Sequence, residues 1–139
     1  MSTATRFPHG SEACLKQAQA VILEGGILIY PTDTLYGFGV DPRNNSALER
    51  LSRLKGRGGP WSIAVPDEAM LRQYGEVSHE SWKFIESHLP GKVTFVLRAK
   101  QSDLSPYVLA KNNTVGMRIP HHPFPVKLTA ELRFPITST

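Results

Sequence analysis

One cysteine, Cys14, stands among 139 residues. A lone thiol rules out an intramolecular disulfide framework and gives no metal-ligand cluster, which fits a reducing compartment. No apolar run approaches the roughly 20 residues of a membrane helix, and the N-terminus has none of signal-peptide length. The chain therefore reads as cytoplasmic, with no membrane partner. Aromatic residues make up only 9%, and none interleave with the basic stripe of Arg50, Arg53 and Arg57. That weakens a stacking platform for single-stranded nucleic acid, but not phosphate-only binding to a duplex. GxxxxGK[ST] is absent, and no GxGxxG opens a helix. No Ser-His-Asp order, Cys-His order or nucleophile elbow stands out, so no covalent nucleophile is expected. His121 and His122 are adjacent in a proline-bounded turn, and adjacent residues rarely point at one ion, so no protein-held metal is expected. There is no internal repeat, low-complexity tract or linker.

What is present suits one domain with a real core: 40% hydrophobic and 20% charged residues. Sixteen Lys and Arg against 12 Asp and Glu leave a formal charge of +4, with a pI near 9.4. This favours anionic partners such as a nucleotide, pyrophosphate or RNA, although many small proteins are mildly basic without binding nucleic acid.

The stretch Gly25 to Val40 organises the rest. Ile27 to Tyr30 reads as a short buried strand that Pro31 stops, because proline has no N–H for the ladder. Thr32, Asp33, Thr34 and Tyr36 then follow within five residues, ending at the close glycines Gly37 and Gly39. Such a set at a strand end suits a small-molecule site, or else a turn in which the side chains satisfy local backbone. Asp33 reads as bracing that turn through local partners. Upstream, Ser11 caps a helix with apolar positions Leu15, Ala18, Val21 and Ile22, and Cys14 belongs to its packed face. Downstream, Asn45 or Ser46 caps a helix over about 47–55, with Leu48, Leu51 and Leu54 inward and a basic stripe of Arg50, Arg53 and Arg57. Lys55 and Arg57, flanked by Gly56, Gly58 and Gly59, read either as a solvated helix end or as a phosphate clamp.

Further on, 62–65 suits a strand, 67–74 a helix, and Ser78 the cap of another helix lined by Trp82, Ile85 and Leu89, with Trp82 in the core. Pro90-Gly91 is a turn, and Val93 to Leu97 a clear strand. Residues 101–113 are partly loop. Thr114 to Ile119 is a strand carrying Arg118, either at a site or in a surface ion pair. Val126 to Leu132 suits a helix, and Pro135 starts a last strand. The class is α/β with an open, twisted, mixed sheet.

Each signal is weak alone, but their order is specific. Pro31-Thr32-Asp33-Thr34-Leu35-Tyr36-Gly37, Lys55-Gly56-Arg57, Pro90-Gly91-Lys92-Val93-Thr94 and Val115 to Pro120 with His122-Pro123 resemble the YrdC-like family, the threonylcarbamoyl-AMP synthases of tRNA modification. The resemblance implies a concave basic face. It implies a nucleotidyltransferase that joins L-threonine, bicarbonate and ATP into threonylcarbamoyl-AMP with release of pyrophosphate. A partner transferase would then pass the group to tRNA.

By motif, Lys55, Arg57 and Thr114 match ATP contacts. Thr32, Thr34, Tyr36, Arg118 and Ser138 match the threonine site. Mg2+ would arrive with ATP rather than be held by the protein. Ala64 stands where some members carry a histidine. The family's Ser-x-Asn motif is expected just past Thr139. The resemblance thus divides the chain into a flexible lead-in, 1–10, and a single YrdC-like domain, 11–139, incomplete at its C-terminus. Two other readings compete with the synthase: a paralogue that binds double-stranded RNA or tRNA without synthase activity, and a carbamoyl-AMP-forming domain like those of hydrogenase maturation proteins.

Overall fold

The structure is a computed structural model and describes residues 12–89 and 91–139. The 1–10 lead-in, the Ser11 cap and Pro90 of the Pro90-Gly91 turn lie outside the described residues. The elements run α1 (Glu12–Leu23), β1 (Leu28–Pro31), β2 (Tyr36–Gly39), α2 (Asn45–Lys55), β3 (Ile63–Ala64), α3 (Glu68–Tyr74), α4 (His79–Glu86), β4 (Phe95–Arg98), β5 (Thr114–Arg118), α5 (Pro123–Leu132) and β6 (Ile136–Thr137).

The mixed α/β expectation holds. Strands β4-β5-β3-β6 form one ladder and β1-β2 a second. β3 runs parallel to β5, while β3–β6 and β4–β5 are antiparallel. The β1–β2 hairpin is joined to the larger sheet through β6. Phe38 N–H donates to Thr139 O at 2.9 Å and Thr137 N–H to Val40 O at 3.1 Å, an antiparallel register. The Thr137 hydroxyl adds two more links. It accepts from Val40 N–H at 3.0 Å and donates to Phe38 O at 2.9 Å. A two-residue strand thus closes the seam between hairpin and sheet.

Two apolar cores flank this sheet. One gathers α2, α3 and α4 around residues such as Leu48, Leu51, Leu71, Ile85, Ile63 and Met117. The other packs α1 and α5 against the hairpin through Ala18, Ile22, Tyr30, Leu128 and Ile136. In α1, Cys14, Ala18 and Ile22 are buried at i, i+4, i+8 spacing, the geometry of one helix face.

Several local expectations are corrected. β1 is not a fully buried strand: Leu28 and Tyr30 point inward while Ile29 is exposed, the alternation of a half-buried hairpin. Pro31 does not stop the ladder. It pairs with Tyr36, and Thr32 N–H donates to Leu35 O at 2.8 Å, so the polar run is a hairpin tip leading into β2. Pro31 is tolerated because, among the described residues, β1 pairs with β2 alone and lies at an edge. Asn44, neither Asn45 nor Ser46, caps α2. It is extended, and its side chain accepts from Ala47 N–H. Leu54 is exposed rather than inward, since the buried stripe is Ala47, Leu48 and Leu51. Arg50 donates to Gly25 O, so the basic stripe is not all free charge.

Thr137→Val keeps shape but leaves the Val40 N–H without its hydroxyl acceptor. We expect about 1–3 kcal/mol of destabilisation by urea unfolding, with Thr137→Ser retaining most of the stability. A Val variant within about 0.5 kcal/mol of wild type would show that the seam does not depend on this hydroxyl.

Candidate functional site

At the hairpin tip, Thr32 Oγ1 donates to Leu35 O at 2.6 Å. Its one proton is spent there, so the 3.0 Å contact with Thr34 Oγ1 has Thr34 as donor. Thr34 N–H also donates to Thr32 Oγ1, at 3.2 Å. The two hydroxyls thus brace the tip. Thr34 and Tyr36 are both exposed.

Asp33 is tied elsewhere. Its Oδ1 accepts from Arg118 Nη2 at the end of β5, and its Oδ2 accepts from His121 N–H at 3.1 Å. The Arg118 and Asp33 side chains are 12% and 6% exposed. This corrects two expectations. Arg118 makes a largely buried ion pair, not a surface one, and Asp33 braces the tip against residues 85 and 88 positions away, not against local partners. Nη2 of Arg118 also approaches Gly91 O at 3.4 Å, while Nε is buried without a partner.

The cations at the end of α2 rest on aromatic rings. Lys55 Nζ lies 4.7 Å from the Phe38 ring centroid, and Arg57 Cζ 4.4 Å from that of Trp61. Arg57 also donates to Gly58 O at 3.2 Å and to Thr139 Oγ1 at 3.1 Å. Aromatics absent from the basic stretch in sequence are therefore supplied by β2 and by the segment before β3. Of the flanking glycines, Gly56 and Gly58 face open space. Gly56 closes α2 at φ +71°, and a Cβ on Gly59 would meet Tyr107 O at 2.3 Å.

Trp61 also walls a cavity of about 140 Å³, with Ser62, Thr94, Val96, Thr114 and Gly116. A Cβ on Gly116 would stand 2.8 Å from Ser62 Oγ, so glycine keeps this space open. The volume is below the roughly 300–1,000 Å³ of whole-ligand pockets, and fits only part of a nucleotide. Thr114 Oγ1 donates to Asn112 Oδ1 at 2.7 Å. Trp61 Nε1 is the second buried donor without a partner among the described residues.

Ser138 is held by its N–H on Ser62 O at 2.8 Å, and its side chain lies near the Tyr30 hydroxyl. Tyr30 OH donates to Thr137 O at 2.7 Å. The Tyr30 ring lies against β2, where a Cβ on Gly39 would come within 2.8 Å of it. Gly37 and Gly39 therefore make room for a core tyrosine rather than for a ligand. Ala64 is buried in the α1–α5 core.

Two groups result. Lys55, Arg57 and Thr114 connect through Phe38, Trp61 and Thr139. Thr32 and Thr34 connect to Arg118 through Asp33. Tyr36 stands apart, and Ser138 joins neither directly. Sequence reasoning missed Trp61, Phe38 and Thr139. The only signal for Trp61 was an aromatic residue four positions after Arg57. Among the described residues no cluster of three or more His, Cys, Asp or Glu could hold a metal.

Fold and site together define an α/β protein with an open mixed sheet, ring-supported cations at one helix end and a buried arginine at a strand end. A Sua5/YciO/YrdC family model, described as "Telomere recombination", matches residues 20–139, and the chain belongs to this family. The threonylcarbamoyl-AMP synthase of Hydrogenovibrio crunogenus is 34% identical over 131 residues, 90% of this chain and 70% of that protein. The uncharacterized protein YciO of Escherichia coli K12 is 28% identical over 127 residues, and the matched chain spans 62% of its length. The E. coli YciO crystal structure has a TM-score of 0.85, covering 93% of this chain and 64% of that one. That of P. abyssi Sua5 complexed with L-threonine has a TM-score of 0.84 at 25% identity, covering 95% and 39%.

Burial pushes the Tyr30 phenol from 10.0 up to about 12. Above pH 10 the unfolded chain loses this proton while the folded chain keeps it. Its stabilising contribution is thus complete below pH 10 and is lost as pH rises towards about 12. We expect wild type to lose about 1.4 kcal/mol per pH unit more than Tyr30→Phe across that window, read by urea unfolding at each pH. Parallel curves would show that Tyr30 ionises normally.

Proposed function

We propose that this chain carries the nucleotide and amino-acid sites of a threonylcarbamoyl-AMP synthase, a nucleotidyltransferase that uses L-threonine, bicarbonate and ATP. The observation that carries this reading is the pairing of ring-supported Lys55 and Arg57 at the end of α2 with the largely buried Arg118 at the end of β5, with no nucleophile of catalytic type beside them among the described residues. The name of the H. crunogenus relative and the L-threonine in the P. abyssi Sua5 complex support it.

In this mechanism the amine of threonine takes up bicarbonate with loss of water and becomes a carbamate. A carbamate oxygen attacks the α-phosphorus of ATP, the new O–P bond forms, and the bond to the β-phosphate oxygen breaks to release pyrophosphate. The nucleophile belongs to the substrate, so the protein's work is orientation and charge neutralisation. Lys55 and Arg57 take the phosphates, the Arg57 fork following charge as it moves to the leaving group. Thr114, on the wall of the small cavity, contacts the nucleotide. Arg118 takes the amino-acid carboxylate, with Thr32, Thr34, Tyr36 and Ser138 around the rest of the amino acid. Magnesium enters with ATP and is held by phosphates and water. The product passes to a partner transferase acting on tRNA. The RNA-binding reading is the weaker one, because Arg50, part of the basic stripe, is spent on Gly25 O.

The test is conversion of ATP to AMP and pyrophosphate by the purified chain with bicarbonate and magnesium, with and without L-threonine. We expect threonine-dependent AMP, reduced at least about 100-fold by Arg57→Ala and only partly restored by Arg57→Lys. Turnover indifferent to threonine, or to Arg57, would overturn the proposal.

A further inference from the structure

We infer that Asp33 is the positioning residue for Arg118, fixing its guanidinium so that the Nε–H is kept for a ligand carboxylate. The inference rests on the amino-acid-binding reading above. It starts from an imbalance in hydrogen bonding. Arg118 is a long, rotamer-rich side chain at the end of β5, and such a side chain orders only when its partners are themselves rigid. Asp33 is rigid because both of its oxygens are used: Oδ1 on Arg118 Nη2, and Oδ2 on His121 N–H at 3.1 Å. The hydroxyl network of Thr32 and Thr34 anchors the tip on either side of it. Gly91 O adds a longer contact to the same Nη2, at 3.4 Å.

Both partners of the guanidinium itself, Asp33 Oδ1 and Gly91 O, act on Nη2. Nε remains buried with no acceptor. A buried donor on a charged group is costly to leave unpaired, and structural pairs normally satisfy it. If Asp33 served the fold alone, a carboxylate spanning Nε and Nη2 would be the better arrangement. Leaving Nε unpaired suits a site whose second carboxylate arrives with the ligand. Asp33 then does two things: it holds the fork still before binding, and it offsets the arginine's charge while the site is empty. Neither requires it to touch the amino acid.

The full chain, labelled with 15N, provides the test. The Arg118 Nε–H cross-peak is assigned by its loss in Arg118→Lys. In wild type this proton should exchange slowly with water and its peak should move on addition of L-threonine. Asp33→Asn should speed exchange at least about tenfold. It should also raise KM for L-threonine about tenfold, with KM for ATP within about twofold. A purely structural Asp33 would lower the melting temperature without moving either signal selectively. Should Asp33→Asn fail to fold, Arg118→Lys decides, since it keeps a charge for Asp33 but has no Nε. It should raise KM for L-threonine by a similar factor with ATP unaffected, and a wild-type KM would overturn the inference. Exchange and KM unchanged in Asp33→Asn would overturn it too, and leave the synthase reading standing. Exchange controlled by Asp33, with a peak that L-threonine does not move, would overturn the amino-acid reading and leave the positioning intact.

Discussion

The structure depends on a short seam. Two ladders that would each expose an edge are joined by β6, which bonds to β3 on one side and to β2 on the other. A lone hairpin is at best marginally stable in water, and β1–β2 gains its stability from being drawn into a larger sheet. Thr137 does much of this. It is fully buried, and its main chain and hydroxyl together engage Phe38, Val40 and Tyr30. Since the hairpin carries Thr32, Asp33 and Thr34, the seam also fixes the tip relative to Arg118.

Charge in this protein is used in two ways. Arg43 clamps Asp41 bidentately and lies 3.7 Å over the Phe134 ring, and Arg50 takes the Gly25 carbonyl at the end of α1. These cations hold turns and helix ends in place. Lys55 and Arg57 differ in having rings rather than carboxylates as neighbours. An aromatic face supports a cation without neutralising it, so these two remain available to an anion. Net charge alone does not separate the two uses.

In the proposed reaction, the division of cations between two places has a physical reason. When a substrate supplies its own nucleophile, the protein needs fixed donors at two distances more than it needs a reactive side chain. The small cavity beside Trp61 and the arginine at the end of β5 are such fixed points, built on strands of the same sheet. The hydroxyls at the hairpin tip are local, and their hydrogen bonds are satisfied among themselves before any ligand arrives.

How much of this could be read from the sequence follows from the range of each interaction. The buried face of α1, the cap at Ser78 and the Arg118 strand rest on neighbours a few residues apart, so spacing and residue type determined them. The α/β class followed from the same local patterns. Pro31 misled, because its effect depends on whether a strand is central or at an edge, and that is a property of the whole sheet. The hairpin glycines misled for a similar reason: the ring that needs their space, Tyr30, faces them only across the ladder. The ordered motifs pointed to Lys55, Arg57 and Arg118, but their partners come from elsewhere in the chain: Phe38, Trp61 and Thr139 for the first two, Asp33 for the third. The sequence by itself determined which groups carry charge and which elements hold them. Tertiary structure alone decided what each charge faces, because contacts such as that of Arg118 with Asp33, 85 residues apart, have no local period to betray them.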